Sequence, residues 1–323
     1  MDHPLPAPNQ GDGKPDQDLT LSIHAQSVVK PRNDFFSNAV ATVWRANEDR
    51  FRVERRGTNG MLAAVADGAG ASGLFCGPWA DALVNRLPLT PVVDLSGLDA
   101  WLASFCLEFR SEYMAHALSE PAKHAKFVRE GSCAALAACW LDDSVAEPSL
   151  HWLAYGDCPV LIFDRTGVRP KLTAAHPDRL EDFERDPHLL NWKDVPVAAG
   201  LRVGKVMLPV QASIVLASDA IGQFLLLRHL ASGGRAAMGP EFRRLSNGSG
   251  RLAAAARLHV AEPCRSDLLD ELRNQLASEA LFAAAMKRRC DQGLLANDDA
   301  TVVMIDVDWG SVAIEGLEAE DAP

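Results

Sequence analysis

The chain has 323 residues, 48% of them hydrophobic and 23% charged, which is globular composition with enough length for one large core or two smaller ones and excludes wholesale disorder. Its 32 Lys and Arg stand against 43 Asp and Glu, and the formal net charge of −11 is the wrong sign for a binder of nucleic-acid phosphates. No stretch reaches the roughly 18 uninterrupted apolar residues of a membrane helix, and the start, MDHPLPAPNQGDGKPD, has neither the basic nor the apolar region of a secretory leader. The expectation is a soluble, cytoplasmic protein with no membrane and no nucleic-acid partner.

Residues 1–32 are rich in Pro, Gly, Asp, Asn and Gln with little apolar periodicity, and read as a disordered tail. One domain is predicted over residues 33–309, with an acidic tail from 310 to 323 in which Val312 and Ile314 could prolong an edge strand. Within the domain, apolar runs ending in turn residues predict strands at Met61–Ala66, Cys133–Leu141, Leu150–Tyr155, Val160–Asp164, Ser213–Ser218 and Ala300–Val307. Gly156 to Pro159 between the third and fourth of these reads as a hairpin, and Thr166 and Gly167 turn the chain toward a further strand at Val168–Leu172, giving an antiparallel meander. Helical spacing appears at Trp79–Leu87, Leu98–Leu118 and Leu268–Cys290, and Ser232–Gly250 reads as a loop. Clustered strands followed by helices place the fold in the α+β class. The seven cysteines, Cys76, Cys106, Cys133, Cys139, Cys158, Cys264 and Cys290, show no C-x-x-C spacing and sit mostly in apolar runs, so they are predicted to be reduced and free of zinc.

Short acidic side chains recur beside predicted strands at four distant places. Asp49 follows Glu48 in WRANEDRF, Asp67 ends MLAAVAD before Gly68, Asp219 ends SIVLASD, and Asp298 with Asp299 opens DDATVVMIDV. Burying a carboxylate at a strand end is costly unless it is paired or holds a cation, and strand ends of one sheet converge on one rim. Oxygen ligands alone select Mg²⁺ or Mn²⁺, and Gly68 lets a backbone carbonyl approach closely. Two such ions about 4 Å apart activate water and neutralise a phosphoryl group. Each Asp taken singly is an ordinary turn or cap residue; the joint pattern is what carries chemistry. The histidines show no paired ligand spacing, and neither a G-x-S-x-G elbow nor a phosphate-cradling G-x-x-x-x-G-K-[ST] loop is present.

The ordered series N-E-D, V-A-D-G, G-S-x-A, G-D, L-A-S-D and D-D-x-T-V-V, spanning about Ala41 to Val307, resembles the motifs of metal-dependent PP2C-type protein phosphatases, in particular bacterial members. The resemblance implies an α-β-β-α four-layer sandwich and a phosphoserine/phosphothreonine phosphatase that uses a metal-bridged water as nucleophile, with two Mn²⁺ or Mg²⁺ ions and a third in some bacterial members. It places Asp49 as the first metal ligand with Glu48 as its outer-sphere companion, Asp67 as the bridge between the ions, Gly68 as a carbonyl ligand, and Asp219 and Asp298 as later ligands. Asp157 of the Gly156-Asp157 turn becomes the third-ion candidate, and Arg45 the substrate-phosphate arginine, although it stands one residue closer to Glu48-Asp49 than is usual. Further departures are Ala220 after Asp219, a missing second Gly after Gly70, and Cys158-Pro159 after Gly-Asp. None removes a metal oxygen. Leu172–Lys205, with His176, Pro177, Pro187 and Pro196, corresponds to the substrate-selecting flap. The implied partners are phosphoproteins and a cognate Ser/Thr kinase in a signalling role. The rivals are a pseudophosphatase that binds phosphoproteins without turnover and a different two-metal phosphoesterase, which the net charge disfavours. Arg52, Arg55 and Arg56 read as a solvated face close to the site, with Arg52 the substitute should Arg45 not reach phosphate.

Overall fold

The longest strands are apolar on both sides, so each must be covered twice. In β3 (Gly60–Gly68), Leu62, Ala64 and Ala66 pack on one face and Met61, Ala63 and Val65 on the other, all inaccessible to solvent. A computed structural model of the chain describes residues 19–32, 46–57, 60–142, 148–233, 239–261 and 267–309 and shows what covers them. One antiparallel sheet runs β2 (Arg50–Arg56), β3, β4 (Cys133–Asp142), β5 (Ser149–Tyr155), β9 (Leu201–Met207), with the short β8 (Leu190–Asn191) paired to β4. The other runs β1 (Thr20–Val28), β11 (Ala300–Asp308), β10 (Gln211–Ala217), β6 (Val160–Asp164), β7 (Lys171–His176).

The two sheets share an apolar interior of Met61, Val65, Ile162, Ile214, Val303 and their neighbours. Outside the first sheet lie α1 (Cys76–Asn85), α2 (Leu95–Ala103), α3 (Cys106–Ala117) and α4 (Pro121–Glu130), packed through Trp79, Trp101, Phe105 and Phe127. Outside the second lie α5 (Asp219–Ser232), α6 (Pro240–Ser246), α7 (Arg251–Ala261), α8 (Leu268–Gln275) and α9 (Glu279–Asp291). This is the four-layer α-β-β-α sandwich of the α+β class. No described helix is long and apolar enough to cross a membrane.

The structure corrects several expectations. The tail predicted over residues 1–32 is wrong from Thr20 onward: β1 pairs residue for residue with β11, from Thr20 opposite Asp308 to Val28 opposite Ala300. The domain therefore begins before residue 33, while residues 1–18 and the predicted tail at 310–323 lie outside the described residues. The predicted hairpin at Gly156–Pro159 is instead a crossover, because β5 belongs to one sheet and β6 to the other. Leu98–Leu118 is two helices, broken at Ser104, whose hydroxyl donates to the Trp101 carbonyl at 2.6 Å, and at Phe105, which is driven into the core. Leu268–Cys290 is likewise two, the second capped by Ser278, which accepts from the Leu281 N–H. The loop predicted at Ser232–Gly250 contains α6, and the predicted flap contains β7, β8, β9 and a 3₁₀ turn at Leu180–Glu184. The six described cysteines other than Cys264 are free thiols.

Candidate active site

Strand register gathers the acidic residues at one end of the sandwich. Gly68 ends β3 opposite Ala134 near the start of β4, Tyr155 ends β5, Ala217 ends β10, and β11 starts at Ala300. Asp67 continues the inward row of Met61, Ala63 and Val65 and so sits where the inter-sheet face reaches the rim. Asp157 follows β5, and Asp219 is the first residue of α5, with its backbone N–H donating to Asp67 Oδ2 at 3.4 Å. Asp298 and Asp299 lead into β11, and Glu48 and Asp49 lead into β2.

These carboxylates press on one another. Burial lifts Asp67 well above the carboxylate range, with Asp49, Asp219, Asp157 and Asp298 adding repulsion in that order. Burial, reinforced by Asp299, pushes Asp49 up to about 8; burial and Asp157 push Asp219 up to about 7; burial pushes Asp157 up to about 6. Glu48 is raised by burial and then by Asp299, and Asp298 is raised by burial. Asp49 is 2% exposed, and its Oδ2 has no hydrogen-bond partner among the described residues. None of Asp49, Asp67, Asp157 or Asp219 forms an ion pair with a described Lys or Arg. Among the described residues no three His, Cys, Asp or Glu side chains already converge on one ion position. What they form is a crowded cluster of carboxylates around the buried Asp49, with no described cation paired to Asp49, Asp67, Asp157 or Asp219, and an oxygen-seeking divalent cation is the counter-charge such a donor set fits.

The structure places Glu48, Asp49, Asp67, Asp157, Asp219 and Asp298 at one end of the sandwich, each within electrostatic reach of at least one other acid there. The sequence shows Asp299 beside Asp298 but not its role: it is 6% exposed and acts through the backbone, its Oδ1 accepting from the Lys30 N–H and its Oδ2 from the Glu48 N–H, each at 2.8 Å. That one carboxylate ties the end of β1 to the Glu48-Asp49 loop. Asn47, which donates to Ser27 Oγ at 2.7 Å while its Oδ1 accepts from the Asp49 N–H at 2.9 Å, ties the same two segments again. Gly70 has its own reason: a Cβ there would overlap the Glu48 carboxylate, and its N–H donates to the Gly68 carbonyl at 3.0 Å. Arg45 lies outside the described residues. Arg52 does not replace it, since its guanidinium donates to the carbonyls of Val84, Asn85 and Leu87 at the end of α1. His176, for which the sequence suggests no role, faces the Gly156 carbonyl at 3.4 Å, beside the turn that carries Asp157. Cys158 is buried, and burial followed by Asp67 holds its thiol well above the ordinary value, so it is not an activated nucleophile.

The raised carboxylates make a signed prediction for the metal-free protein. Unfolded, these groups titrate near the ordinary Asp value; folded, they keep protons to about pH 6–8. Between those limits the folded state binds more protons than the unfolded one, so stability falls as pH rises from about 4 to about 8. Urea midpoints in EDTA should be lower at pH 8 than at pH 5.5, and saturating Mn²⁺ at pH 8 should restore the difference; a midpoint that rises with pH in EDTA contradicts the cluster.

No family model and no curated protein matches the chain. Solved structures do. A bacterial serine phosphatase matches at 14% identity over 90% of this chain and 98% of its own, with a TM-score of 0.47. Stp1, a serine/threonine phosphatase from Staphylococcus aureus, matches at 14% identity over 92% and 96%, with a TM-score of 0.44, and RsbX in complex with magnesium at 10% over 90% and 100%, with a TM-score of 0.43. The similarity is one of chain layout, and the chemistry of this site rests on its own residues.

Proposed function

We propose that this protein is a metal-dependent phosphoserine/phosphothreonine protein phosphatase. One observation carries the reading: acidic residues from distant parts of the sequence crowd one rim and raise one another's affinity for protons, and among the described residues no Lys or Arg pairs with Asp49, Asp67, Asp157 or Asp219. In this reading Asp49, Asp67, Asp219, Asp298 and the Gly68 carbonyl hold two Mn²⁺ or Mg²⁺ ions, and Asp157 helps hold a third. Bound there, the ions supply Lewis acidity, lowering the pKa of water and offsetting phosphoryl charge. The chain's own contribution is placement. Asp299 and Asn47 fix the backbone of Glu48 and Asp49, the Asp219 N–H fixes Asp67, and Gly70 leaves room for Glu48. Arg45 contacts the substrate phosphate, and no side chain need form a bond to phosphorus. The setting is cytoplasmic, with a phosphoprotein as substrate and a Ser/Thr kinase as its counterpart.

The purified protein should hydrolyse an aryl phosphate with added Mn²⁺ at least as well as with Mg²⁺, and lose that activity after exhaustive EDTA treatment. Activity that survives EDTA contradicts the metal assignment. Saturable Mn²⁺ binding by calorimetry without turnover points instead to the pseudophosphatase.

A further inference from the structure

The strand β9 forms one edge of its sheet and, among the described residues, pairs only with β5. It starts at the candidate site: the Gly156 N–H, next to Asp157, donates to the Gly200 carbonyl at 3.2 Å, and Leu201 lies opposite Tyr155. From there the edge runs outward with Arg202, Val203, Lys205 and Met207 exposed. In a chain of net charge −11, this strand carries two cations and no acid. The Arg202 guanidinium donates to the Ala199 and Leu201 carbonyls of its own turn, whereas Lys205 has no hydrogen bond or ion pair among the described residues. Alongside lies a cavity of about 230 Å³ between Val203, Gly204 and Lys205 on the edge and Val92 and Val93 of the α1–α2 connection. A lysine on an edge strand deters stray pairing, but an apolar cavity beside it offers a seat for a side chain.

We propose that β9 is a docking edge for the substrate: an extended acidic segment of the phosphoprotein adds to β9 as a further strand while its phosphorylated residue lies at the acidic rim. The inference rests on the phosphatase reading. Main-chain pairing supplies a sequence-tolerant part of the affinity, and side chains opposite Val203 and Lys205 point to the cavity face, where an apolar residue meets Val203 and an acid meets Lys205. Continuity with the site and the sign of the edge charge both select this occupant.

The test uses two synthetic phosphoserine peptides carrying a short Gly-Ser spacer and then either Glu-Val-Thr-Glu-Val-Thr-Glu or the same segment with each Val replaced by Pro, which removes the apolar anchor and a ladder donor. With full-length protein at saturating Mn²⁺, KM should be at least about fivefold lower for the Val peptide. In Lys205→Glu, and in Lys205→Ala should the first variant fold poorly, that ratio should fall below about twofold with aryl phosphate turnover unchanged. Equal KM values on the wild-type protein overturn the proposal. Fluorescence anisotropy of the unphosphorylated Val segment gives a readout independent of turnover: it should bind the wild type and lose binding in Lys205→Glu. If the wild type does not hydrolyse aryl phosphate, the phosphatase reading fails while anisotropy still decides whether the edge docks the segment; binding with no effect on KM overturns the substrate role.

Discussion

Asp67→Asn is expected to lower aryl phosphate turnover at saturating Mn²⁺ by two or more orders of magnitude, about 3 kcal/mol in activation free energy, with the fold intact. Asn keeps the shape and can still accept the Asp219 N–H, so the change isolates charge from packing. The metal-free variant should also unfold at higher urea than metal-free wild type at pH 8. The sign follows from the cluster: Asp67 is raised first by burial and then by four other aspartates, so removing its charge relieves a cost the folded protein otherwise carries at that pH. Asp219→Asn should behave alike, and the double variant should lose far less than the product of the two effects, because both residues serve one ion set. Turnover near wild type in both single variants, with Mn²⁺ saturating, makes these aspartates turn residues and removes the metal reading.

The parts of this site legible in the sequence were those carried by residue type in fixed order. Asp67 and Asp219 close apolar runs whose both-face burial already marked central strands, so their place at the rim followed from the strand reading. Asp299 was invisible in its role because its two partners, the N–H groups of Lys30 and Glu48, lie more than 250 positions away and are ordinary backbone. Edge strands were the systematic loss. The strand β2 reads RFRVERR and β9 reads LRVGKVM, each with one face to solvent and charges where a central strand has Val or Ile. The crossover after β5 looks like a hairpin in the sequence for the opposite reason: Gly156-Asp157-Cys158-Pro159 has hairpin length and turn chemistry, and only the second sheet stacked beneath it reveals that the chain changes layers. Both break points within the predicted long helices fall where a buried residue or a serine cap overrides a periodicity that continues through them, Phe105 in one case and Ser278 in the other.

The strand β1 has the largest consequence for stability, and truncation decides it. Thr20–Val28 follows a Pro- and Gly-rich stretch and is only half-buried, which is why it reads as tail, yet it is the sole cover on one edge of β11 among the described residues. Leu21, Ile23 and Ala25 pack against the interior between the sheets, and Val28, 6% exposed, against the outer helices. Ser27 Oγ lies 2.6 Å from Thr301 Oγ1, and Gln26 donates to the Leu276 carbonyl at 3.2 Å. With the side chains only partly buried, the apolar term alone is about 5 kcal/mol, a large share of the roughly 5–15 kcal/mol that holds an ordinary domain folded. Deleting residues 1–28 should therefore lower Tm by on the order of 10 °C or more relative to deleting residues 1–18, which leaves β1 whole. The truncation also bares the edge of β11, whose ATVVMIDV is apolar and apt to pair with other chains, so the shorter protein should aggregate on heating where the longer one does not. It further removes the anchor for the Glu48-Asp49 loop at Ser27, so Mn²⁺ affinity measured by calorimetry at a temperature where both proteins are folded should fall as well. A Tm within about 2 °C of the 1–18 deletion, with equal Mn²⁺ affinity, would mean that β1 contributes neither to the fold nor to the site.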